Sequence, residues 1–199
     1  MCAQKLDTEV RREQIIQAVL GLVATQGLKN LTIAGVARRV GLVPSAVYRH
    51  FKSKDALLEA VLDYLQDGLL GNIAAVRAET MDPCDRLYRL LMRHVSLIRE
   101  NAAVPRIVFS EDVYGGHAER KQRVHSIMRA YLSEVADIVR EGQARGQVSQ
   151  DLDPDTVAVM FLGLIQPAAI LWHVSDGGFD VTKHAERSWS VFRASIETR

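Results

Sequence analysis

Hydrogen-bond donors suited to a polyanion are concentrated between Ser45 and Lys54. Arg49 carries a planar guanidinium that can pair with the O6 and N7 atoms of guanine, whereas Tyr48 and Lys52 can donate to phosphate oxygens. The alternative for Arg49 is a solvated position on a helix surface. Lys54 opens a predicted helix, where a cation opposes the helix dipole unless a phosphate docks there; the alternative is a solvated lysine. The candidate DNA contacts are Thr32, Ser45, Ala46, Tyr48, Arg49, His50, Lys52 and Lys54.

These donors belong to a pattern of two short helices that meet at a glycine. Thr32 is a good N-cap for the first helix, Gly41 can adopt the left-handed conformation that ends it, and Pro44 has a φ angle suited to the start of the second. Val47 and Phe51 lie four residues apart, so both can anchor the second helix in a core while the donors face outward. The spacing predicts a helix-turn-helix.

The sequence AVYRHFKSKDALLEAV, residues 46–61, resembles the signature of TetR-type (AcrR-like) repressors. The small Ala37, the turn glycine Gly41 and the buried Val47 also keep the spacing of helix-turn-helix proteins generally. The resemblance is most specific from Gln14 to Val61, and it implies a ligand-responsive repressor that binds double-stranded operator DNA as a homodimer.

Two positions depart from the pattern of that family. Val43 stands where the family often has a capping Ser or Thr, and Ala56 stands where a Glu often completes a capping box after Ser53. A side-chain cap stabilises a helix by about 1 kcal/mol. The departures predict a slightly weaker start for each helix, or a cap supplied by Ser45 or Asp55.

The composition is that of an ordinary globular protein, with 199 residues, 48% hydrophobic and 25% charged. We find no apolar run that approaches the roughly 18 to 20 residues needed to cross a membrane, and no apolar signal-peptide core at the start. Two cysteines, Cys2 and Cys84, are too few for a disulfide framework or a cysteine-based zinc site. We therefore expect a soluble, cytoplasmic protein without a membrane partner, and we predict no metal and no cofactor.

Helical patterns follow one another along the whole chain, and no segment alternates as a strand does. The first helix begins at the capping Thr8 and ends at Gly27, and Ser53 caps a long fourth helix that weakens near Gly68 and Gly71. We therefore predict an all-α fold. Further helices are predicted at about 83–104, 105–112, 118–143, 155–174 and 180–196.

Charge divides the chain near residue 55. Residues 1–54 hold nine Lys or Arg against three acids, whereas residues 55–199 hold sixteen against twenty-one. A basic N-terminal segment followed by an acidic one is suited to a protein whose basic end binds a polyanion. The alternative is that the excess of Lys and Arg in residues 1–54 arose by chance. We predict a helix-turn-helix DNA-binding domain at 1–54 and a helical ligand-binding and dimerisation domain at 55–199.

The resemblance implies that the second domain binds a small-molecule effector. His94 lies on the same helical face as Leu87, Leu91 and Ile98, which places a titratable group on a predicted core stripe. The alternative for His94 is an ordinary hydrogen-bonded core histidine. Segments that line the pocket in proteins of the family supply the other candidates. The candidate ligand contacts are His94, Phe109, Ser110, Tyr114, His117, His125 and Met128.

The last two predicted helices carry more apolar bulk than a peripheral pair needs. A four-helix bundle formed with the same helices of a second subunit would explain the excess; the alternative is a monomer core. A two-fold dimer would place its reading helices roughly 34 Å or a multiple apart and predicts a palindromic operator. The candidate interface residues are Phe161, Leu164, Ile165, Trp172, Trp189 and Phe192.

An enzyme is the first rival interpretation. Glu111, Asp112, His117 and His125 are close in sequence, as the groups of a metal or acid–base site would be. The chain has no His-Glu-x-x-His motif, no Gly-rich phosphate loop and no nucleophile elbow. We therefore do not expect an enzyme.

The second rival is a helical interaction module whose basic face binds an acidic protein or anionic lipid. A basic patch for lipid would not need Gly41, Pro44 and Tyr48 at their observed spacings. We therefore predict a ligand-responsive DNA-binding transcriptional regulator, acting as a repressor that a small-molecule effector releases from its operator, with the interaction module as the alternative.

Overall fold

The computed structural model describes residues 8–101, 103–108, 110 and 118–198. These residues form ten α-helices and one short 3-10 turn, without a strand, so the predicted all-α fold is confirmed. The helices are α1 (Thr8–Gln26), α2 (Ile33–Val40), α3 (Pro44–His50), α4 (Lys54–Glu79), α5 (Pro83–Glu100), α6 (Ala103–Val108), α7 (Ala118–Ala144), α8 (Pro154–Gly163), α9 (Gln166–Val174) and α10 (Val181–Ile196).

The first of two compact units, the head unit, contains residues 8–65 and the described residues between 101 and 121. Within it α1 packs against α2 and α6. Arg120, which is 5% exposed, donates from Nη2 to Asp55 Oδ1 at 2.8 Å and so ties the first turn of α7 to the first turn of α4. The head unit therefore includes more of the chain than the predicted domain 1–54.

The turn residues of the helix-turn-helix behave as predicted. The Oγ1 atom of Thr32 accepts a hydrogen bond from the Gly35 N–H at 3.0 Å and caps α2. Gly41 ends α2 with φ 71° and ψ 33°, a left-handed conformation that costs a glycine nothing. Pro44 is the first residue of α3, where a missing N–H would have had no helical partner.

The two departures from the family pattern have different outcomes. No side chain caps α3, which follows Val43 directly. By contrast, the Oγ atom of Ser53 accepts the Ala56 N–H at 3.1 Å, so α4 has its cap although Ala56 replaces the usual glutamate. Of these two helices, α3 therefore begins without a side-chain cap and α4 begins with one.

The second compact unit, the body unit, contains residues 66–100 and 122–198. The weakening predicted near Gly68 and Gly71 is wrong, because α4 continues unbroken to Glu79. A glycine inside a helix costs about 1 kcal/mol relative to alanine. Burial of Ile73 and Val76 one and two turns further on offsets that cost.

Two helix boundaries differ from the prediction. The short helix expected at 105–112 is found at Ala103–Val108, because a proline is tolerated in the first turn of a helix; residues 111 and 112 lie outside the described part. The single helix expected at 155–174 is divided into α8 and α9. Pro167 has no N–H to donate to the Gly163 carbonyl, so the ladder of helical hydrogen bonds stops there.

One segment contradicts the expectation that no apolar run is long enough to cross a membrane. Residues Pro154–Val174 pass that test by length and composition. The indication is weak, since core helices of soluble proteins pass the same test, and here the segment is broken between α8 and α9. Its apolar character is divided between side chains buried in the body unit and side chains on its surface.

Candidate nucleic-acid interface and effector site

The surface of α3 displays the donors that the sequence predicted. Ser45, Tyr48, Arg49 and Lys52 are exposed, Tyr48 with 47% of its surface accessible. On the opposite side Val47 is fully buried and fixes the helix in the head unit. Within the described part of the chain, no hydrogen bond or ion pair occupies the Tyr48 hydroxyl or the Arg49 guanidinium, so both groups are available to a ligand.

Ala46 and Lys54 differ from the other candidates. Ala46 is 5% exposed, so its methyl group packs inside the head unit, and its N–H donates to the Val43 carbonyl at 2.9 Å. Lys54 donates from Nζ to the Leu28 carbonyl at 3.1 Å. Neither side chain is free to meet a phosphate without giving up a contact inside the protein.

Thr32 can combine its two predicted roles. Its Oγ1 atom accepts the Gly35 N–H, yet the residue is exposed and its hydroxyl proton remains able to donate. A phosphate at the start of α2 would accept that proton and face the positive end of the helix dipole.

His50 brings a contact that sequence reasoning missed. Its backbone carbonyl accepts a hydrogen bond from Nη1 of Arg12 at 3.0 Å, and the same guanidinium lies over the ring of Phe51, 4.5 Å from the centroid. Burial and then the charges of Arg12, Arg49 and Arg11 lower the pKa of His50 below its ordinary value. The lowered pKa favours the neutral imidazole, which can both donate and accept a hydrogen bond.

In the body unit, His94 has a specific partner. Its Nδ1 atom lies 3.0 Å from the hydroxyl oxygen of Tyr131, and the two rings meet edge to face with centroids 5.3 Å apart. Tyr131 is buried and His94 is partly buried, among apolar side chains of α5 and α7. Burial lowers the pKa of His94 to about 4 and raises the pKa of Tyr131. The pair is a neutral polar point among these apolar side chains.

The remaining ligand candidates are not gathered into one described site. Ser110 belongs to the head unit and donates from Oγ to the Ile107 carbonyl at 2.8 Å. His125 is exposed on α7, whereas Met128 packs against the core of the body unit. Phe109, Tyr114 and His117 lie outside the described residues, as do two acids of the rival metal site, and the described part holds no group of three or more potential metal ligands.

The candidate interface residues are mostly part of the chain's own core. Phe161, Ile165, Trp189 and Phe192 are at most 9% exposed, so they have little surface to offer a second subunit. Leu164 and Trp172 are partly buried against the same core. Other apolar side chains on these helices are each at least 44% exposed: Val159, Met160, Ile170, Leu171, Val174 and Val191.

Two models of known protein families match this chain, one over the helix-turn-helix and one over most of the remaining residues. Residues 15–61 match the model for bacterial regulatory proteins of the TetR family, and residues 67–194 match the model for the C-terminal region of YsiA-like proteins. This chain belongs to the TetR family. It is therefore a DNA-binding transcriptional regulator, as its sequence predicted.

Similarity to individual proteins extends over nearly the whole TetR-family chain. The nucleoid occlusion factor SlmA of Vibrio vulnificus is 24% identical over 188 residues, which cover 94% of this chain and 96% of SlmA. The structure of FadR from Bacillus subtilis in complex with stearoyl-CoA is 20% identical, with a TM-score of 0.80 and coverage of 93% and 99%. A transcriptional regulator from Saccharomonospora viridis, in complex with choline, is 21% identical, with a TM-score of 0.83 and coverage of 96% and 100%. These likenesses show a shared fold.

The pairing of His94 with Tyr131 in this TetR-family body unit predicts an acid-sensitive fold. Because the pKa of His94 is about 4 when folded and roughly 6.5 in an unfolded chain, only the unfolded chain binds this proton between those values. Stability should therefore fall as the pH drops below 6.5, by about 2 kcal/mol at pH 5 from this group alone. Urea unfolding at pH 7, 6 and 5, at one protein concentration, measures the slope.

The matched control is the exposed His125. His94→Gln should flatten the pH dependence by about the contribution of that group, whereas His125→Gln should leave the wild-type slope unchanged. Equal slopes for the two variants would contradict the assignment of the acid sensitivity to His94.

Proposed function

We propose that this regulator is a cytoplasmic, dimeric repressor whose α3 helices bind a palindromic operator and which a small molecule in the body unit releases from DNA. The observation that supports it most directly is the arrangement of α3, in which a fully buried Val47 fixes the helix while Tyr48 and Arg49 are exposed. Such donors both clamp phosphates and select bases.

Contacts with DNA phosphates and contacts with base edges should differ in how they depend on the DNA sequence. Tyr48 donates to the backbone and so contributes to binding of every duplex, whereas Arg49 pairs with guanine and so contributes to the operator alone. Thr32, Ser45 and Lys52 add backbone contacts. His50 can add a hydrogen bond, and the buried Ala46 is not assigned a contact.

Anisotropy binding to an operator selected from genomic fragments, and to a random duplex of equal length, tests this division. Tyr48→Ala should weaken binding to both duplexes by a similar factor. Arg49→Ala should weaken operator binding by roughly 10- to 100-fold, the value of one bidentate base contact, and should change random binding much less.

Arg129→Gln is the control, since it removes an exposed cation from α7 in the body unit and should leave both affinities unchanged. Operator discrimination that survives Arg49→Ala would remove Arg49 from base recognition. Binding to anionic vesicles without binding to any duplex would instead support the basic interaction module.

The dimer is formed by apolar side chains that the body unit leaves on its surface. Ile170, Leu171 and Val174 are 44%, 47% and 70% exposed on α9, and Val191 is 73% exposed on α10. Exposed apolar side chains on neighbouring helices commonly mark a contact with another protein. A two-fold contact between these helices would give the four-helix bundle expected from the resemblance to the family.

Leu171→Glu should therefore give a monomer in light scattering, because a dimer would bury two unpaired carboxylates. The monomer should also bind operator at least tenfold more weakly, since each half-site is then bound separately. Met81→Glu is the control: Met81 is an exposed apolar residue at 67% that lies in the turn before α5 and on none of the helices α8–α10. A dimeric Leu171→Glu protein would exclude this surface.

The effector binds in the body unit beside His94 and Tyr131. Small-molecule sites are mostly apolar with a few polar groups that fix orientation, and this pair is a polar point of that kind among apolar residues. Proteins of the same fold have been solved with stearoyl-CoA and with choline, so an acyl chain and a small cation are the first probes. The effector must favour a state that binds DNA less well.

A coupling of about 1 to 3 kcal/mol lowers operator affinity roughly 5- to 150-fold. Operator binding with and without stearoyl-CoA or choline measures that factor. Tyr131→Phe should weaken effector binding and leave the affinity of the unliganded protein for DNA unchanged. An effector that relieves repression in cells without changing the affinity of the purified protein would contradict the mechanism.

A further inference from the structure

Arg12 holds the C-terminal end of α3 from the neighbouring helix α1. Its Nη1 donates to the His50 carbonyl at 3.0 Å, and its guanidinium lies 4.5 Å from the centroid of the Phe51 ring. The two contacts use different properties of one planar group, an N–H donor at its edge and a cation over an aromatic face. Arg12 therefore fixes two consecutive residues that immediately follow Arg49.

The need for such a contact follows from the length and caps of α3. The helix has seven residues, and its first residue follows Val43 without a side-chain cap. Helices this short are not stable alone in water. The last carbonyls of a helix lack helical partners, and a cation placed there both satisfies one and complements the helix dipole. Arg12 lies 38 residues before His50 in the chain, yet it donates to the His50 carbonyl and places a positive charge at the C-terminal end of α3.

We propose that Arg12 is a positioning residue for DNA recognition, fixing the end of α3 so that Tyr48 and Arg49 project in one direction. The inference rests on the proposed role of α3 in reading DNA. An α3 that is held less firmly would still present the same charges, and contacts with phosphates tolerate small displacements of the helix. Such a helix would lose the aligned geometry that a bidentate base contact requires.

Arg11 provides a matched control in the adjacent position. It carries the same charge and donates from Nη1 to Gln14 Oε1 at 2.8 Å, a contact within α1. Arg11→Gln and Arg12→Gln therefore remove equal charge from the same helix, but only the second removes the contacts with His50 and Phe51. Arg12→Lys keeps the charge and loses the planar donor.

The experiment measures affinity for the selected operator and for a random duplex of equal length, across a salt series. Arg11→Gln should weaken both by one common factor and leave their ratio unchanged. Arg12→Gln should lower that ratio about tenfold, and Arg12→Lys should lower it similarly while keeping the wild-type salt slope. Thermal unfolding checks that each variant is folded; if Arg12→Gln is not, Arg12→Lys decides.

Nuclear magnetic resonance titration of His50 tests whether the Arg12 guanidinium lies beside His50 in solution. Burial contributes most to the lowered pKa of His50, followed by Arg12, Arg49 and Arg11, while Glu9 opposes them. Arg12→Gln should raise this pKa more than Arg11→Gln does. Equal shifts would mean that the Arg12 contact is absent in solution.

The outcomes separate this inference from the function on which it rests. If Arg49→Ala abolishes discrimination while both Arg12 variants keep the wild-type ratio, α3 reads DNA and the positioning role is overturned. If the wild-type protein does not discriminate operator from random duplex, the proposed function fails, and the inference with it.

Discussion

The function of this regulator depends on holding a helix that is too short to be stable by itself. α3 has seven residues and no N-terminal side-chain cap, yet it must present its donors in a fixed direction. Burial of Ala46, Val47 and Phe51, none more than 5% exposed, supplies most of the stabilisation. Because those side chains occupy one face, the residues between and around them are forced outward, and the hydrophobic anchoring of α3 is also what exposes Tyr48 and Arg49.

The body unit meets a different constraint, that of placing polar groups in a helical core without leaving them unpaired. Arg86 is 4% exposed, and it donates to the Thr80 carbonyl at 2.7 Å and to the carboxylate of Glu141, which also binds Arg77. A buried charge is tolerated only with such partners. His94 and Tyr131 satisfy the same requirement as neutral groups. The ion pairs of Arg86 and Arg77 with Glu141 join α4, α5 and α7, whereas the hydrogen bond between His94 and Tyr131 joins α5 and α7 without a charge.

What the sequence could predict was set by how local each interaction is. Thr32, Gly41 and Pro44 act on residues within one helical turn, so their types alone predicted the caps and the turn. The Arg12–His50 contact joins residues 38 apart, and no pattern within a helix points to it. The division of the helix at Pro167 was readable in principle, since a proline always removes a donor, but the strong apolar pattern around it favoured one long helix.

The interface residues were predicted from apolar periodicity, which is also a local pattern. Apolar periodicity identifies side chains that avoid water, but it does not say whether the chain's own core or another subunit covers them. Phe161 and Phe192 pack against each other inside the body unit, whereas Leu171 and Val191 on the adjoining helices remain exposed. Helices that need both faces covered can be completed by a second copy. Since two linked α3 helices bind an operator far more tightly than one, the exposed apolar face of the body and the donors of the head would contribute to the same affinity.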